Sequence, residues 1–253
     1  MPRILKCLII YLMMSTTAGT LKCEETETNC NAISNYAVVP FNTNSVLSEF
    51  FERTKSVTIS KLDVTFNILQ TWQEHGVAGV VWEAATVLAD YLADNYDFRG
   101  RNVIELGAGT GLVGMAVAYL GGNVTVTDLQ KFLPLLQENV DLNKNIIEKG
   151  GNGGNLTISE LKWGKRLERF KPGFYDFILG ADIIYSEEEF QNLLETLTHL
   201  YGDDKNSKRK VILSAKRRYD RVETFIETLE TKFRSVDLVK SCEKTNVIIY
   251  ECM

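Results

Sequence analysis

Residues 103–114 read VIELGAGTGLVG, and the fold of the chain turns on them. Val103, Ile104 and Leu106 make an apolar strand that carries one acid, Glu105, and Gly107, Gly109, Gly111 and Gly114 then break the pattern before the apolar run 112–120. Glycine accepts positive φ and lets a ligand or a neighbouring element come close. A strand, a glycine-rich turn and a helix in that order offer backbone N–H groups and a helix N-terminus to a polar ligand. Open α/β sheets hold nucleotide-bearing cofactors in this way.

Outward from this stretch the chain alternates. Strands are predicted at 102–106, 123–127, 156–161, 175–180 and 210–215, with helices at 111–120, 131–147, 187–201 and 220–232. Repeated βα units imply a largely parallel sheet covered by helices on both faces. SVDLV and NVIIYEC, near the end, have only a loop between them and are expected to pair antiparallel at one edge. Upstream, SVTIS and VTFNILQTW alternate as a hairpin, and WEAATVLADYLADNY places Ala85, Leu88, Ala89 and Leu92 on one helical face. KGGNGGN at 149–155 reads as an inserted loop, and no internal repeat or domain boundary is visible after Ser56.

Composition narrows the function. The 253 residues are 45% hydrophobic and 24% charged, and the net charge of −5 argues against a protein built mainly to bind nucleic acid. The basic cluster KNSKRK at 205–210 reads as a solvated loop between helix and strand. Five cysteines (7, 23, 30, 242 and 252) form no CxxC pair, and with His75 and His199 as the two histidines neither a zinc cage nor a Cys/His nucleophile is expected. No stretch reaches the roughly 18 apolar residues that span a bilayer. Arg3 and Lys6, the apolar run 7–14 and the small residues around Ala18 outline a secretory signal peptide, followed by a polar, acidic leader at 19–36. Residues 1–36 are therefore expected to be an extension, and 37–253 the folded domain. Asn123 and Asn155 open glycosylation sequons, but Asn123 begins a strand expected to be buried.

Asp128 ends the strand NVTVTD, 23 residues after Glu105, where an acid reaches ribose hydroxyls. Gly109, Gly111 and Gly114 form a formal GxGxxG, so a NAD(P)-dependent Rossmann oxidoreductase stays open as an alternative. Glu105 favours S-adenosylmethionine: a carboxylate before the loop can hold a cationic ammonium, directly or by water, and would repel a pyrophosphate. The polar block LGADIIY at 179–185 closes a later strand, where such sheets place their active sites. It lacks the Asn/Asp-Pro-Pro-aromatic block with which base methyltransferases take a flipped base. Ser186, with Glu189 three residues on, reads as a capping box for the following helix.

VAGVVWEAATVLADYL, VIELGAGTGLVG, VTVTD, LKWG and FILGADIIYSEEEFQNLLETLTHL together resemble the methyltransferase-like 21 group of seven-strand protein-lysine N-methyltransferases, from about Ala37 to the C-terminus. Within that group the likeness is greatest to the member acting on heat shock protein 70 family chaperones. The resemblance implies a Rossmann-like, mostly parallel sheet with an antiparallel edge strand, S-adenosyl-L-methionine as cofactor, and a protein-lysine substrate. That substrate is expected to be a heat shock protein 70 chaperone, with elongation factor 1-alpha as the alternative. It implies cofactor contacts from Trp82, Gly107, Ala108, Gly109, Asp128, Trp163 and Ala181 beside Glu105, and no metal, nucleic acid or membrane. A cytoplasmic monomer is expected. In ADIIY, Asp182 and Tyr185 are the residues expected to hold and orient the lysine amine, which must be neutral to react. Deprotonating a free lysine at pH 7 costs roughly 4.6 kcal/mol.

Overall fold

The computed structural model describes residues 52–150, 153–204, 208–217 and 220–253. All of them fall within one unit, 47–253. The boundary expected at residue 36, the signal-like segment, Cys7, Cys23, Cys30 and part of the 205–210 cluster lie outside the described residues.

The strands are β1 (Thr54–Ile59), β2 (Val64–Leu69), β3 (Asn102–Leu106), β4 (Asn123–Asp128), β5 (Asn155–Glu160), β6 (Phe177–Ala181), β7 (Lys210–Lys216), β8 (Val236–Cys242) and β9 (Val247–Cys252). The helices are α1 (Trp72–His75), α2 (Glu83–Asn95), α3 (Leu112–Tyr119), α4 (Leu133–Lys149), α5 (Phe190–Tyr201) and α6 (Arg221–Glu230). Seven strands form one sheet in the order β5-β4-β3-β6-β7-β9-β8. The pairs from β5 to β7 are parallel, and β9 is antiparallel to both β7 and β8. β3 lies between β4 and β6, so the winding reverses at its carboxyl end. Open α/β sheets bind ligands in the crevice that this reversal leaves.

The apolar run in β3 is explained by cover on both faces, as parallel sheets require. Ile104 and Leu106 pack with Leu193, Leu197, Phe225 and Leu229 of α5 and α6. Val103 packs the other way, with Leu88, Leu92, Val113 and Leu136 from α2, α3 and α4. The β1–β2 hairpin stands outside the main sheet, its Val57, Ile59, Phe66 and Ile68 packed with Ala89, Leu112 and Met115.

One free edge of that hairpin is closed by a helix. Asn139 Nδ2 donates to the Leu69 carbonyl at 3.2 Å and its Oδ1 accepts the Leu69 N–H at 2.7 Å. Asn143 repeats the pattern on Asn67, at 2.8 and 2.9 Å. The spacings match: four helical residues rise about 6.0 Å and two strand residues about 6.7 Å. Both asparagines are fully buried, and α4 serves β2 as a substitute strand.

Three expectations need correction. β2 ends at Leu69 and does not run to Trp72, because Gln70 turns inward to accept the Val81 N–H at 2.9 Å and Trp72–His75 close a single helical turn. Asn123, expected to be buried with its strand, is exposed at the first position of β4. Ser186 makes no side-chain cap bond; a 3-10 turn, Glu187–Glu189, intervenes before α5, and the Glu189 carboxylate accepts from Asn192 at 2.9 Å. Among the described residues no single helix is long and apolar enough to cross a membrane, and no group of His, Cys, Asp and Glu could hold a metal ion.

Candidate active site

β3 runs into the glycine loop at the reversal of the sheet. Gly107 and Gly109 adopt φ of 58° and 53°, values that a residue with Cβ reaches only at a cost. Their surroundings leave little room as well. A Cβ on Gly107 would lie 2.9 Å from Ile183 Cγ2 and 3.3 Å from Trp163 Cζ2, and one on Gly109 would lie 3.0 Å from the Ala78 carbonyl oxygen. The loop is thus wedged between the end of β6 and the turn Gly76–Gly79. Two of its amides are used internally: Ala108 N–H donates to the Thr127 carbonyl at 2.9 Å and Gly109 N–H to Asp128 Oδ2 at 2.8 Å.

Asp128 is 7% exposed, and its other oxygen accepts the Leu129 N–H at 2.7 Å. Burial pushes its pKa up, and the two amide bonds oppose that. Each carboxylate oxygen keeps a further lone pair for a hydroxyl donor. Glu105 lies deeper, 2% exposed, with Oε2 accepting the Gly114 N–H at 2.8 Å in the first turn of α3. Burial, reinforced by the nearby charge of Asp128, raises its pKa to about 8. The structure therefore places Glu105 beneath the loop, capping an orphan helix amide. Gly114 is glycine for packing: its Cβ would stand 2.1 Å from Val126 Cγ1 and 2.8 Å from Glu105 Oε2.

The two tryptophans flank the loop. Trp82 caps α2, and its Nε1 donates to the Val77 carbonyl at 2.8 Å, so it braces the turn that touches Gly109. Trp163 is half-buried against the core, with the Tyr185 ring 6.4 Å away. Tyr185 is half-exposed, and Arg221 donates to its carbonyl at 2.5 Å. Burial raises its hydroxyl pKa first, with the charges of Asp128 and Glu189 adding to the effect. Ala181 ends β6 in register with Ser214. Asp182 follows at φ 56°, its N–H donating to the Ser214 carbonyl at 2.8 Å and its Oδ1 accepting the Lys216 N–H at 3.1 Å. The two polar residues of ADIIY thus have different neighbours: Asp182 ties β6 to β7, and Tyr185 stands on the Trp163 and Asp128 side.

Residues 60–232 match a family model described as lysine methyltransferase. The chain belongs to that family. It is 40% identical over 220 residues to Protein N-lysine methyltransferase METTL21A of Danio rerio, covering 86% of this chain and 96% of that protein. It is 44% identical over 177 residues to EEF1A lysine methyltransferase 3 of Mus musculus, covering 69% and 72%. Two solved structures share the fold. The 16S rRNA N2 G1207 methyltransferase RsmC of T. Thermophilus, in complex with AdoMet and guanosine, is 20% identical with a TM-score of 0.55 over 79% of this chain and 50% of that one. The ribosomal protein L11 methylase of Lactobacillus delbrueckii subsp. bulgaricus is 17% identical with a TM-score of 0.53 over 78% and 97%.

This lysine methyltransferase has the Rossmann-like seven-strand fold, S-adenosylmethionine is its cofactor, and the oxidoreductase alternative falls. The residues fit that cofactor: a glycine cradle that a Cβ would fill and the anchored Asp128 carboxylate at the end of β4. Sequence reasoning missed two parts of the lysine methyltransferase site. Ile183 is an aliphatic wedge: a Cβ on Gly180 would lie 2.4 Å from its Cδ1, as one on Gly107 would lie 2.9 Å from its Cγ2. Ala78 supplies the wall against Gly109. Gly76 and Gly79 beside it signalled a turn, with Gly76 at φ 58°, but nothing in the sequence marked its contact with Gly109.

Proposed function

We propose that the enzyme methylates a lysine of a heat shock protein 70 family chaperone, acting in the cytoplasm as a monomer. What supports this reading is the run of five blocks from VAGVVWEAATVLADYL to FILGADIIYSEEEFQNLLETLTHL, which resembles the chaperone-acting member of the group. METTL21A of Danio rerio is matched over 96% of its length, and EEF1A lysine methyltransferase 3 over 72%. Elongation factor 1-alpha is the second reading, favoured by the 44% identity to the latter.

When bound, S-adenosylmethionine supplies a methyl group activated on a sulfonium. The chain's own work is binding and positioning. Asp128 would take the ribose hydroxyls, and Gly107, Ala108 and Gly109 let the ligand approach the backbone. Trp82, Trp163 and Ala181 would enclose it. Glu105, with a pKa raised to about 8 by burial, is mostly neutral at pH 7 in the absence of a ligand, and a cation nearby would favour its ionised form. Tyr185, whose hydroxyl pKa is raised, stays protonated at pH 7. Its oxygen can accept an amine N–H, but it cannot serve as a base. Asp182 would orient the lysine amine; its charge favours the ammonium, and desolvation of the amine, which lowers the lysine pKa, must outweigh that.

The test is incubation of the purified protein with isotope-labelled S-adenosylmethionine and a cell lysate. A recombinant heat shock protein 70 chaperone, with its target lysine or arginine in its place, follows. Labelling of the lysine form alone supports the reading. Labelling of elongation factor 1-alpha and not of the chaperone moves it to the second substrate, and equal labelling of the arginine form defeats it.

A further inference from the structure

Charge is unevenly placed on this acidic protein. Residues 160–171, ELKWGKRLERFK, carry five cations, Lys162, Lys165, Arg166, Arg169 and Lys171, against two carboxylates, Glu160 and Glu168, in a chain of net charge −5. All five cations are exposed. The segment that bears them is firmly held. Leu167 and Phe170 are buried, the Gly164 N–H donates to Thr196 Oγ1 at 2.9 Å, and His199 Nε2 bonds the Phe170 carbonyl at 2.8 Å. Arg166 sits at φ 52°, a conformation that costs a residue of its kind about 1 to 2 kcal/mol. Glu160, Lys162, Lys165, Arg166, Arg169 and Phe170 surround a concavity of about 260 Å³.

Its position relates it to the chemistry. The Leu161 N–H donates to the Asp128 carbonyl at 3.0 Å, and Trp163, between Lys162 and Lys165, lies against Gly107. A cationic wall therefore begins one residue from two parts of the candidate active site. A lysine substrate is itself cationic and would be repelled by this wall, unless the chain that carries it brings acidic side chains to the same place. Complementary charge of this kind steers encounter and fixes register.

We infer that the concavity docks an acidic segment of the protein substrate beside the lysine to be methylated. This rests on the reading that the acceptor is a lysine in a protein. It adds what the sequence around that lysine must contain, glutamate or aspartate within a few residues.

The experiment uses the full chain and two charge-reversal variants, Lys165→Glu/Arg166→Glu and Lys162→Glu/Lys165→Glu. The second leaves Arg166 untouched, should the first fail to fold. A fluorescent hexaglutamate peptide is titrated at low and high salt, and methylation kinetics are run on the protein labelled in the lysate. The peptide should bind the wild type in a salt-sensitive way and lose most of that affinity in the variants. KM should rise at least about tenfold with kcat nearly unchanged, and affinity for S-adenosylhomocysteine should stay the same. A KM unmoved by charge reversal would overturn the inference, as would a single-stranded oligonucleotide that binds the wall where hexaglutamate does not. If the wild type labels no protein, the reading of the acceptor fails, while the peptide titration still reports on the wall.

Discussion

Replacing Asn139 by leucine removes one rung of the ladder that ties the hairpin to α4. Leucine is similar in size, so the site stays filled, but the Leu69 N–H and carbonyl both lose their partners. The N–H bond, at 2.7 Å, is the stronger, and stranding its donor should cost about 1.5 to 2 kcal/mol. The carbonyl bond, at 3.2 Å, should add roughly 0.5 to 1 kcal/mol. Burial of the new apolar side chain returns part of this, leaving a net loss of about 2 kcal/mol. Asn143→Leu should cost less, about 1 kcal/mol, because Asn67 is exposed and its backbone can bond to water. Urea unfolding followed by circular dichroism gives both values. Hydrogen exchange should show the Leu69 amide released in the first variant and the Asn67 amide in the second. If Asn139→Leu is neutral, or the order of the two is reversed, the ladder does not hold the hairpin as described.

Asp128→Ala removes the ribose acceptor and also strands the Gly109 and Leu129 amides, so affinity for S-adenosylhomocysteine should fall by about 1.5 to 3 kcal/mol in calorimetry. Unchanged affinity would defeat the assignment. Asp182→Asn keeps an acceptor for the Lys216 N–H and tolerates φ 56°. Its turnover should therefore drop about ten- to a hundredfold with the melting temperature and cofactor affinity nearly intact, and Tyr185→Phe should lose less. Glu105 makes the cofactor-free protein pH-sensitive. Its folded pKa of about 8 lies above the ordinary 4.5, so its contribution is whole below about pH 4.5 and is lost as pH rises to 8. The swing is on the order of 3 to 5 kcal/mol. Urea unfolding at pH 5 and pH 8 should show this fall in the wild type and a flatter profile in Glu105→Gln; parallel profiles would refute it.

The strand and helix alternation was legible because burial imposes a period on each element. Val103, Ile104 and Leu106 are apolar because both faces of β3 are covered, and the glycines before α3 mark positive φ. The ladder was not legible, because Asn139 and Asn143 on a helix read as surface residues until the edge of β2 is seen against them. Glu105 directly precedes the loop, but sequence carries no sign of which side of the backbone a carboxyl takes. Its bond to Gly114, nine residues on, depends on the turn between them. The capping box at Ser186 failed for a related reason: three consecutive glutamates wound a 3-10 turn where the α-helix was expected to start. The spacing of Asp182 and Tyr185 showed a polar end to β6, while their separate neighbours follow from the left-handed turn at Asp182.

The placement of β9 between β7 and β8 bears on how the protein is made. During synthesis β8 leaves the ribosome with no strand to pair with, since its partner, Val247–Cys252, is still to come. β7 meanwhile presents a bare edge of buried-type residues, Val211 to Ala215, of the sort that pairs with foreign strands. A nonsense codon between Cys242 and Val247 would therefore leave two unpaired edges in place of one shortened tail. Such truncated chains should aggregate or be degraded, even though every residue of the candidate active site has already been translated.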